Sequence, residues 1–221
     1  MKNKILIIIF VLSIITPYVS NILLIREFDL SFLILIPIFL ISLIGLIVST
    51  RKITIIESKK KSIIYKIVSL SFVLIFFLTY GQQIRLSEYF SYQRNKVELR
   101  KLVDKISGSN IRIMTDDYEN LNGYPINNWG FEPEYPLDSI LAIYNIDKQE
   151  YEDLRFMLKS IKYRSISKSE DGIIFLTKGG IIDNCYGIAY SQEEKSPVEN
   201  NCGKIIKWRR IIDNWYAWAT T

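Results

Sequence analysis

The sequence predicts a membrane α-helical N-terminal region of three transmembrane helices, followed by a small α+β domain with an antiparallel C-terminal sheet. Two observations predict the first part: three long stretches lack any charged residue, and basic residues flank them unevenly. The third observation concerns the second half, where helix-like apolar spacing gives way to β-type runs separated by turn signals. We expect a membrane region at 1–84, a stalk helix at 85–110 and the domain at 111–221.

Each of the three uncharged stretches is long enough to cross a bilayer. They cover about residues 5–25, 30–50 and 67–84. A helix rises about 1.5 Å per residue, so it needs roughly 18 to 20 apolar residues to cross about 30 Å of hydrocarbon. Because none of them contains Asp, Glu, Lys or Arg, they lack the ionisable groups of an ion pathway or proton relay.

The charges beside these stretches predict the orientation of the chain. Residues 1–66 carry nine basic and three acidic residues, whereas residues 67–221 carry nineteen and twenty. Short loops rich in Lys and Arg stay in the cytoplasm. Five basic residues lie between 51 and 61, but Arg26 is the sole one between the first two stretches. We therefore expect a multi-pass plasma (inner) membrane protein with a cytoplasmic N-terminus and an extracytoplasmic C-terminal domain.

A second interpretation of the first stretch is a signal peptide, because a short basic start before an apolar run is typical of one. Cleavage would leave two crossings, and the C-terminal domain would still lie outside the cytoplasm.

Periodicity and turn signals predict the elements that follow. Apolar residues recur at three- and four-residue steps from Arg85 to about Ile106, which indicates an amphipathic stalk helix. Ile111 to Met114 is a short strand candidate, and Thr115 to Pro136 reads as a long irregular segment. Two helices come next. The first is Leu137 to Tyr144, and Asp147 with Glu150 three residues later indicates a capping box for the second.

The last third of the chain predicts an antiparallel meander. Lys178-Gly179-Gly180 and Asp213-Asn214 are its turn signals. The β-type runs are Tyr163 to Ser167, Ile173 to Thr177, Cys185 to Tyr190, Lys204 to Ile212 and Trp215 to Thr220.

The two cysteines and the lack of histidine limit the catalytic and metal sites that the chain can form. Without histidine the chain has no imidazole base and no Ser-His triad, and two cysteines alone do not make a usual zinc site. Cys185 and Cys202 fall on or beside neighbouring strand candidates in a compartment where disulfides persist. We expect them to pair, with a stabilisation of about 3 kcal/mol from closing a loop of roughly 17 residues. The alternative is two free buried thiols.

One motif suggests an envelope enzyme without histidine. Ser165-Ile166-Ser167-Lys168 matches the Ser-x-x-Lys spacing in which a lysine activates a serine nucleophile. That chemistry needs both side chains on one helical face, whereas this match lies in a β-type run. We therefore expect no enzyme.

A second pattern suggests a DNA-binding regulator. Ile140 to Ile146, the capped helix Asp147 to Lys162 and the stretch from Asp171 to Gly180 follow one another as helix, turn, helix and hairpin. This order resembles winged-helix DNA-binding domains, and the resemblance implies that the second helix would enter a DNA groove. Phosphate binding requires a net basic face. The helix instead carries as many acidic as basic residues, so we expect nucleic acid not to be a partner: Lys148, Glu150, Glu152, Asp153, Arg155 and Lys159.

The segment from Asp116 to Glu134 is the candidate binding site. It collects carboxylates, Asn and aromatic residues that no periodic core pattern explains. Calcium prefers such oxygens, but the spacing of a calcium loop is missing, so we expect neither a metal nor another cofactor. Long aromatic-rich loops are typical of binding surfaces. We predict that Tyr118, Tyr124 and Trp129 contact a protein partner, and that the chain is a membrane-bound interaction module of unknown biochemical activity.

The C-terminal aromatic residues allow two interpretations. They could form a carbohydrate-binding platform, but alternation in a strand more often indicates core packing. Strand alternation places Trp215 on the opposite face from Tyr216 and Trp218, with Trp208 on the preceding run.

Overall fold

The structure, a computed structural model, describes residues 2–24, 31–116, 120–126, 136–181 and 184–221. The chain forms two compact units, Met1–Ser91 and Tyr92–Thr221. Three long apolar helices come first, and an antiparallel curled sheet with further helices follows. The predicted fold class is therefore confirmed.

The first unit consists of α1 (Lys2–Leu24), α2 (Ser31–Ile56), α3 (Lys59–Leu78) and the beginning of α4 (Tyr80–Gly108). The helices α1, α2 and α3 are long and apolar enough to cross a membrane. Most of their aliphatic side chains are exposed, as expected for residues that face lipid.

Small and aromatic residues pack the three helices together. An added Cβ at Gly45 of α2 would lie 2.5 Å from Ser13 Oγ of α1, so the two backbones approach closely there. The ring centroids of Phe10 and Tyr65 are 5.1 Å apart, and those of Tyr18 and Phe76 are 5.2 Å apart. These contacts join α1 to α3. The helix α1 is thus packed into the first unit through aromatic contacts with α3.

Buried polar pairs add interhelical hydrogen bonds. Asn21 Nδ2 of α1 donates to Gln83 Oε1 of α4 over 2.6 Å. Gln83 Nε2 in turn donates to the carbonyl oxygen of Phe76. Thr50 of α2 and Ser69 of α3 share a hydrogen bond of 2.8 Å between their hydroxyl groups. These four side chains therefore have partners within the bundle, as an apolar environment requires.

The third helix departs from the predicted span. We expected a loop from Arg51 to Lys61 and a span over 67–84, but α2 continues to Ile56 and α3 already begins at Lys59. The basic residues therefore lie on the ends of the two helices and not in a loop. Long Lys and Arg side chains can reach water from a helix end, so they do not interrupt the helix. The apolar stretch is divided at Thr79, whose hydroxyl donates to the Ile75 carbonyl oxygen over 2.7 Å.

The second unit is built on a nine-stranded antiparallel sheet with the order β3-β2-β1-β4-β5-β6-β9-β8-β7. The remaining helices are α5 (Leu137–Tyr144) and α6 (Lys148–Ser160). Asp147 caps α6 as predicted, since its carboxylate accepts from the Glu150 backbone N–H over 3.0 Å. The strands are β1 (Ile113–Thr115), β2 (Asn120–Leu121), β3 (Tyr124–Pro125), β4 (Ser165–Lys168), β5 (Ile174–Ile181), β6 (Asn184–Tyr190), β7 (Glu199–Asn200), β8 (Gly203–Ile212) and β9 (Trp215–Thr220).

The strand order differs from the predicted meander at one place. The β8–β9 hairpin turns at Asp213, which has a φ of 44°, as expected. However, β9 inserts between β6 and β8 instead of following β8 at the edge. The reason is burial, because β9 is buried on both faces at nearly every residue, whereas β8 alternates with exposed residues.

The predicted turn at Lys178-Gly179-Gly180 is wrong. The strand β5 continues to Ile181 and stays paired with β6, with a bulge between Thr177 and Gly179. Gly187 lies opposite this bulge, and a Cβ there would overlap the Leu176 carbonyl oxygen. The glycines therefore permit a close backbone approach and do not end the strand.

The sheet carries hydrophobic residues on both faces. One face packs against the C-terminal half of α4 and against α5 and α6, with fully buried Leu99, Tyr151 and Leu176 in the cluster. The other face holds a smaller cluster of Ile173, Phe175, Ala189 and Trp218. Both faces are thus covered, which explains why the central strands read as nearly continuous apolar runs.

Candidate binding site

Of the three predicted contact residues, the structure describes Tyr124. Tyr118 and Trp129 lie outside the described residues. Tyr124 begins β3 and is half-buried, and its ring lies 6.0 Å from that of Tyr144 at an angle of 64°. It therefore contributes to packing as well as to the surface.

Tyr124 is positioned by a hairpin that we did not predict. Asn122 and Gly123 have φ values of 53° and 91°, and Leu121 pairs with Tyr124 across them. Two central residues with positive φ are typical of a type I′ turn, for which Asn-Gly is the preferred sequence. The segment that we took as irregular therefore contains β2 and β3. The local signal was present, but strands of two residues show no periodicity.

The side chain of Asn122 fixes the segment between α4 and β1. Its Oδ1 accepts from the backbone N–H groups of Arg112, over 2.6 Å, and Ile113, over 3.1 Å. Its Nδ2 donates to the Asn110 carbonyl oxygen, and Asn110 Nδ2 donates to that of Tyr144. Hydrogen bonds thus connect the hairpin, the end of α4 and the end of α5.

An open cleft of about 790 Å³ lies beside these hydrogen bonds, between the segment after α4, the end of α5 and the end of β4. Its walls are mainly polar and include charged groups of both signs. The described residues that line it are Ser109, Asn110, Arg112, Ile143, Tyr144, Lys168, Ser169 and Glu170.

The electrostatics of the cleft are set by a few groups. Desolvation raises the pKa of Tyr144 above its ordinary value, and a hydrogen bond with Tyr124 raises it further, while Arg112 opposes the shift. Tyr144 is therefore a neutral phenol at physiological pH. Lys168 Nζ donates to the Ser107 carbonyl oxygen over 2.9 Å, whereas Arg112 is exposed. The cleft can bind a polar or anionic group beside an apolar one.

The Ser165–Lys168 pair is not arranged for catalysis. Both residues belong to β4, where residues three apart point to opposite faces. The ammonium group of Lys168 is also held by the backbone of α4. Within the described residues, no group of three or more Asp, Glu or Cys could hold a metal ion.

The helix that resembles a DNA-reading helix is largely neutralised. Lys148 Nζ lies 2.9 Å from Asp138, and Arg155 Nε lies 3.1 Å from Glu152. A hydrogen bond from Gln149 lowers the pKa of Asp153, and the contact with Lys105 of α4 lowers it further. In addition, β5 and β6 are internal strands, whereas a wing is a free hairpin.

The structure joins Cys185 and Cys202 in a disulfide, the pairing that the sequence predicts, with a Cα–Cα distance of 6.0 Å. The bond connects the beginning of β6 to the segment before β8, beside the smaller hydrophobic cluster. Ser167 Oγ also donates to Asn201 Oδ1 over 2.9 Å. The disulfide and this hydrogen bond thus fasten the segment 191–202 to the sheet, in addition to the pairing of β7 with β8.

The C-terminal aromatic residues form core and not a platform. Trp215, Tyr216 and Trp218 are at most 3% exposed. Trp218 packs edge-to-face on Phe175 and donates to the Ile188 carbonyl oxygen over 2.9 Å. Trp215 belongs to the cluster on the opposite face, as the strand alternation predicts.

Sequence reasoning did not single out the exposed apolar residues of the domain. Phe156 of α6 is 75% exposed and Ile143 of α5 is 63% exposed. The signal was available for Phe156, because it lies off the helical face formed by Tyr151, Leu154 and Leu158.

Together, these features define a class: a chain with three helices apolar enough to cross a membrane, followed by a disulfide-bonded α+β domain with an open cleft. No known protein family matches the sequence, and neither a curated protein nor a solved structure is significantly similar to it. The function must therefore be inferred from the chain itself.

Proposed function

We propose that this protein is a multi-pass membrane protein that presents an extracytoplasmic domain for binding a protein partner, and that it is not an enzyme. The observation that carries the proposal is the Cys185–Cys202 disulfide in the domain that follows three apolar helices. Disulfides form and persist mainly outside the cytoplasm. The disulfide therefore supports an extracytoplasmic location of the domain, as the charge distribution does.

The positions of the cations support this orientation. Arg51 and Lys52 lie in the last turns of α2, and Lys59, Lys60 and Lys61 lie in the first turn of α3. They are concentrated at one end of the bundle, within a few residues of the membrane, where the positive-inside rule is strongest. With that end in the cytoplasm, α3 leads α4 to the outside.

A pair of reporter fusions tests the orientation. We expect alkaline phosphatase, which is active only after export, to be active when fused after Thr221 and inactive when inserted between Glu57 and Ser58. Green fluorescent protein should show the reverse pattern. The insertion is the matched control, because it reports the opposite side of the same chain.

An alkaline phosphatase that is inactive after Thr221 would contradict the proposal. A cytoplasmic C-terminus would instead favour a membrane-tethered regulator of the winged-helix type.

The binding surface is the segment Asp116 to Glu134 together with the adjoining cleft. Tyr124 supports this location, because it connects the segment to Tyr144 in the cleft wall. Since Tyr124 is also half-buried, an alanine at this position would confuse loss of binding with loss of packing. Tyr118 and Trp129, the other two predicted contact residues, therefore serve as the probes.

Photo-crosslinking in intact cells tests this surface. A photoreactive phenylalanine derivative in place of Tyr118 or Trp129 should give a discrete cross-linked product after irradiation. The same derivative in place of Phe156, an exposed aromatic residue outside the segment, is the matched control and should give none. Products from Phe156 alone would move the binding surface to α6 and contradict the assignment.

A further inference from the structure

A groove lies between the N-terminal end of α1 and the C-terminal end of α2. It has a volume of about 450 Å³. Five of its six lining residues are aliphatic, and the sixth is Lys52 of α2. The aliphatic ones are Ile5, Leu6 and Ile9 of α1 and Ile55 and Ile56 of α2. Several of these side chains are strongly exposed, Ile55 to 83% and Ile56 to 52%. An apolar groove of this kind at a helix end is suited to an acyl chain, whose burial there removes apolar surface from water.

Lys52 is the exception, and its position along the helix is unusual. It lies about one turn, or roughly 5 Å, nearer the middle of α2 than Ile55 and Ile56. The ammonium group therefore has apolar groups on both sides along the helix axis. A cation so close to hydrocarbon is stabilised by an anion or by extending to the interface.

No carboxylate in the described part of this region forms an ion pair with Lys52. Between residues 31 and 66 the one acidic residue is Glu57, which bonds Lys61 Nζ over 3.1 Å. Three more cations of this end have no ion pair among the described residues: Arg51, Lys59 and Lys60. The region thus combines an apolar groove with an excess of positive charge.

We propose that this groove binds an anionic phospholipid, with the lipid phosphate on Lys52 and an acyl chain between α1 and α2. Basic pockets between transmembrane helices are suited to anionic head groups. An anionic lipid fits better than a zwitterionic one, because the latter neutralises its phosphate with its own ammonium group. The inference uses the membrane insertion of the proposed function but not its orientation, so the fusion experiment and the lipid experiment can fail separately.

Native mass spectrometry of the detergent-solubilised full chain tests the site. With equal acyl chains, phosphatidylglycerol should remain bound at lower concentration than phosphatidylcholine. Lys52→Gln should weaken phosphatidylglycerol binding about fivefold, the effect of one cation near an anionic surface. Lys66→Gln is the matched control: it removes the same charge from an exposed position on α3 outside the groove, and it should bind as the natural sequence does.

A second variant tests the groove itself. Ile9→Trp keeps every charge and fills the space, so it should also weaken phosphatidylglycerol binding, while the head group alone, glycerophosphoglycerol, should not bind. Circular dichroism of each variant should show unchanged helix content.

Three results would each overturn the proposal: equal retention of the two lipids, equal losses in the Lys52 and Lys66 variants, or full binding by folded Ile9→Trp. The second or third result would indicate that lipid binding depends on the net charge of the helix ends and not on the groove.

Discussion

Replacing both Cys185 and Cys202 by serine should lower the free energy of unfolding of the C-terminal domain by about 3 kcal/mol. The pair encloses a loop of 17 residues, and without the bond the unfolded chain regains the conformational freedom of that loop. The segment 191–202 also loses its covalent attachment to the sheet. For a domain of this size the expected loss in Tm is about 10 °C.

Tryptophan fluorescence of the full chain measures this effect in the domain alone. All four tryptophans, Trp129, Trp208, Trp215 and Trp218, belong to the second unit. Addition of a reductant to the natural protein should lower the unfolding midpoint to that of the double serine variant, which should not respond to the reductant. A midpoint that neither change affects would show that the disulfide does not stabilise the domain.

Gly187→Ala should destabilise the domain by about 3 kcal/mol or more. The new methyl group would overlap the carbonyl oxygen of Leu176 and approach Lys178 N to 3.2 Å. Both atoms belong to the backbone of β5, so the clash cannot be relieved by rotating a side chain, and the two central strands must separate. We expect denaturant unfolding to show a large loss of stability or a failure to fold.

Gly108→Ala is the matched control. This glycine ends α4, and an added Cβ there meets nothing within 4 Å. The control should be neutral or slightly stabilising, because alanine reduces the entropy of the unfolded chain. Equal stabilities of the two variants would contradict the close approach of β5 and β6.

Much of the molecule could be predicted because its determinants are local. The hydrophobic spans follow from composition, and the cap at Asp147 follows from a four-residue pattern. The disulfide could be predicted because the two cysteines lie on or beside predicted strands that follow one another in the sequence, although β9 lies between β6 and β8 in the sheet. The hairpin at Asn122-Gly123 was also encoded locally, but its two-residue strands carry too little sequence to show alternation.

The rest depends on contacts between distant residues. The position of β9 between β6 and β8 follows from the burial of both of its faces, and alternation does not reveal which strands lie beside it. The bulge beside Gly179 depends in the same way on Gly187 in the neighbouring strand. For the candidate site, composition identified the segment around Tyr124, whereas the cleft with Tyr144 and Arg112 is formed by three separate segments of the chain.

The two edge strands of the sheet affect how copies of the protein associate when a membrane brings them close together. A long exposed edge strand would offer unpaired N–H and C=O groups to neighbouring copies. Here each edge strand has two residues: β3 includes Pro125, which has no N–H to donate, and β7 carries Glu199 and follows Pro197. Short edges with proline and charge disfavour strand-to-strand association. The domain is therefore suited to high surface density without aggregating through its sheet.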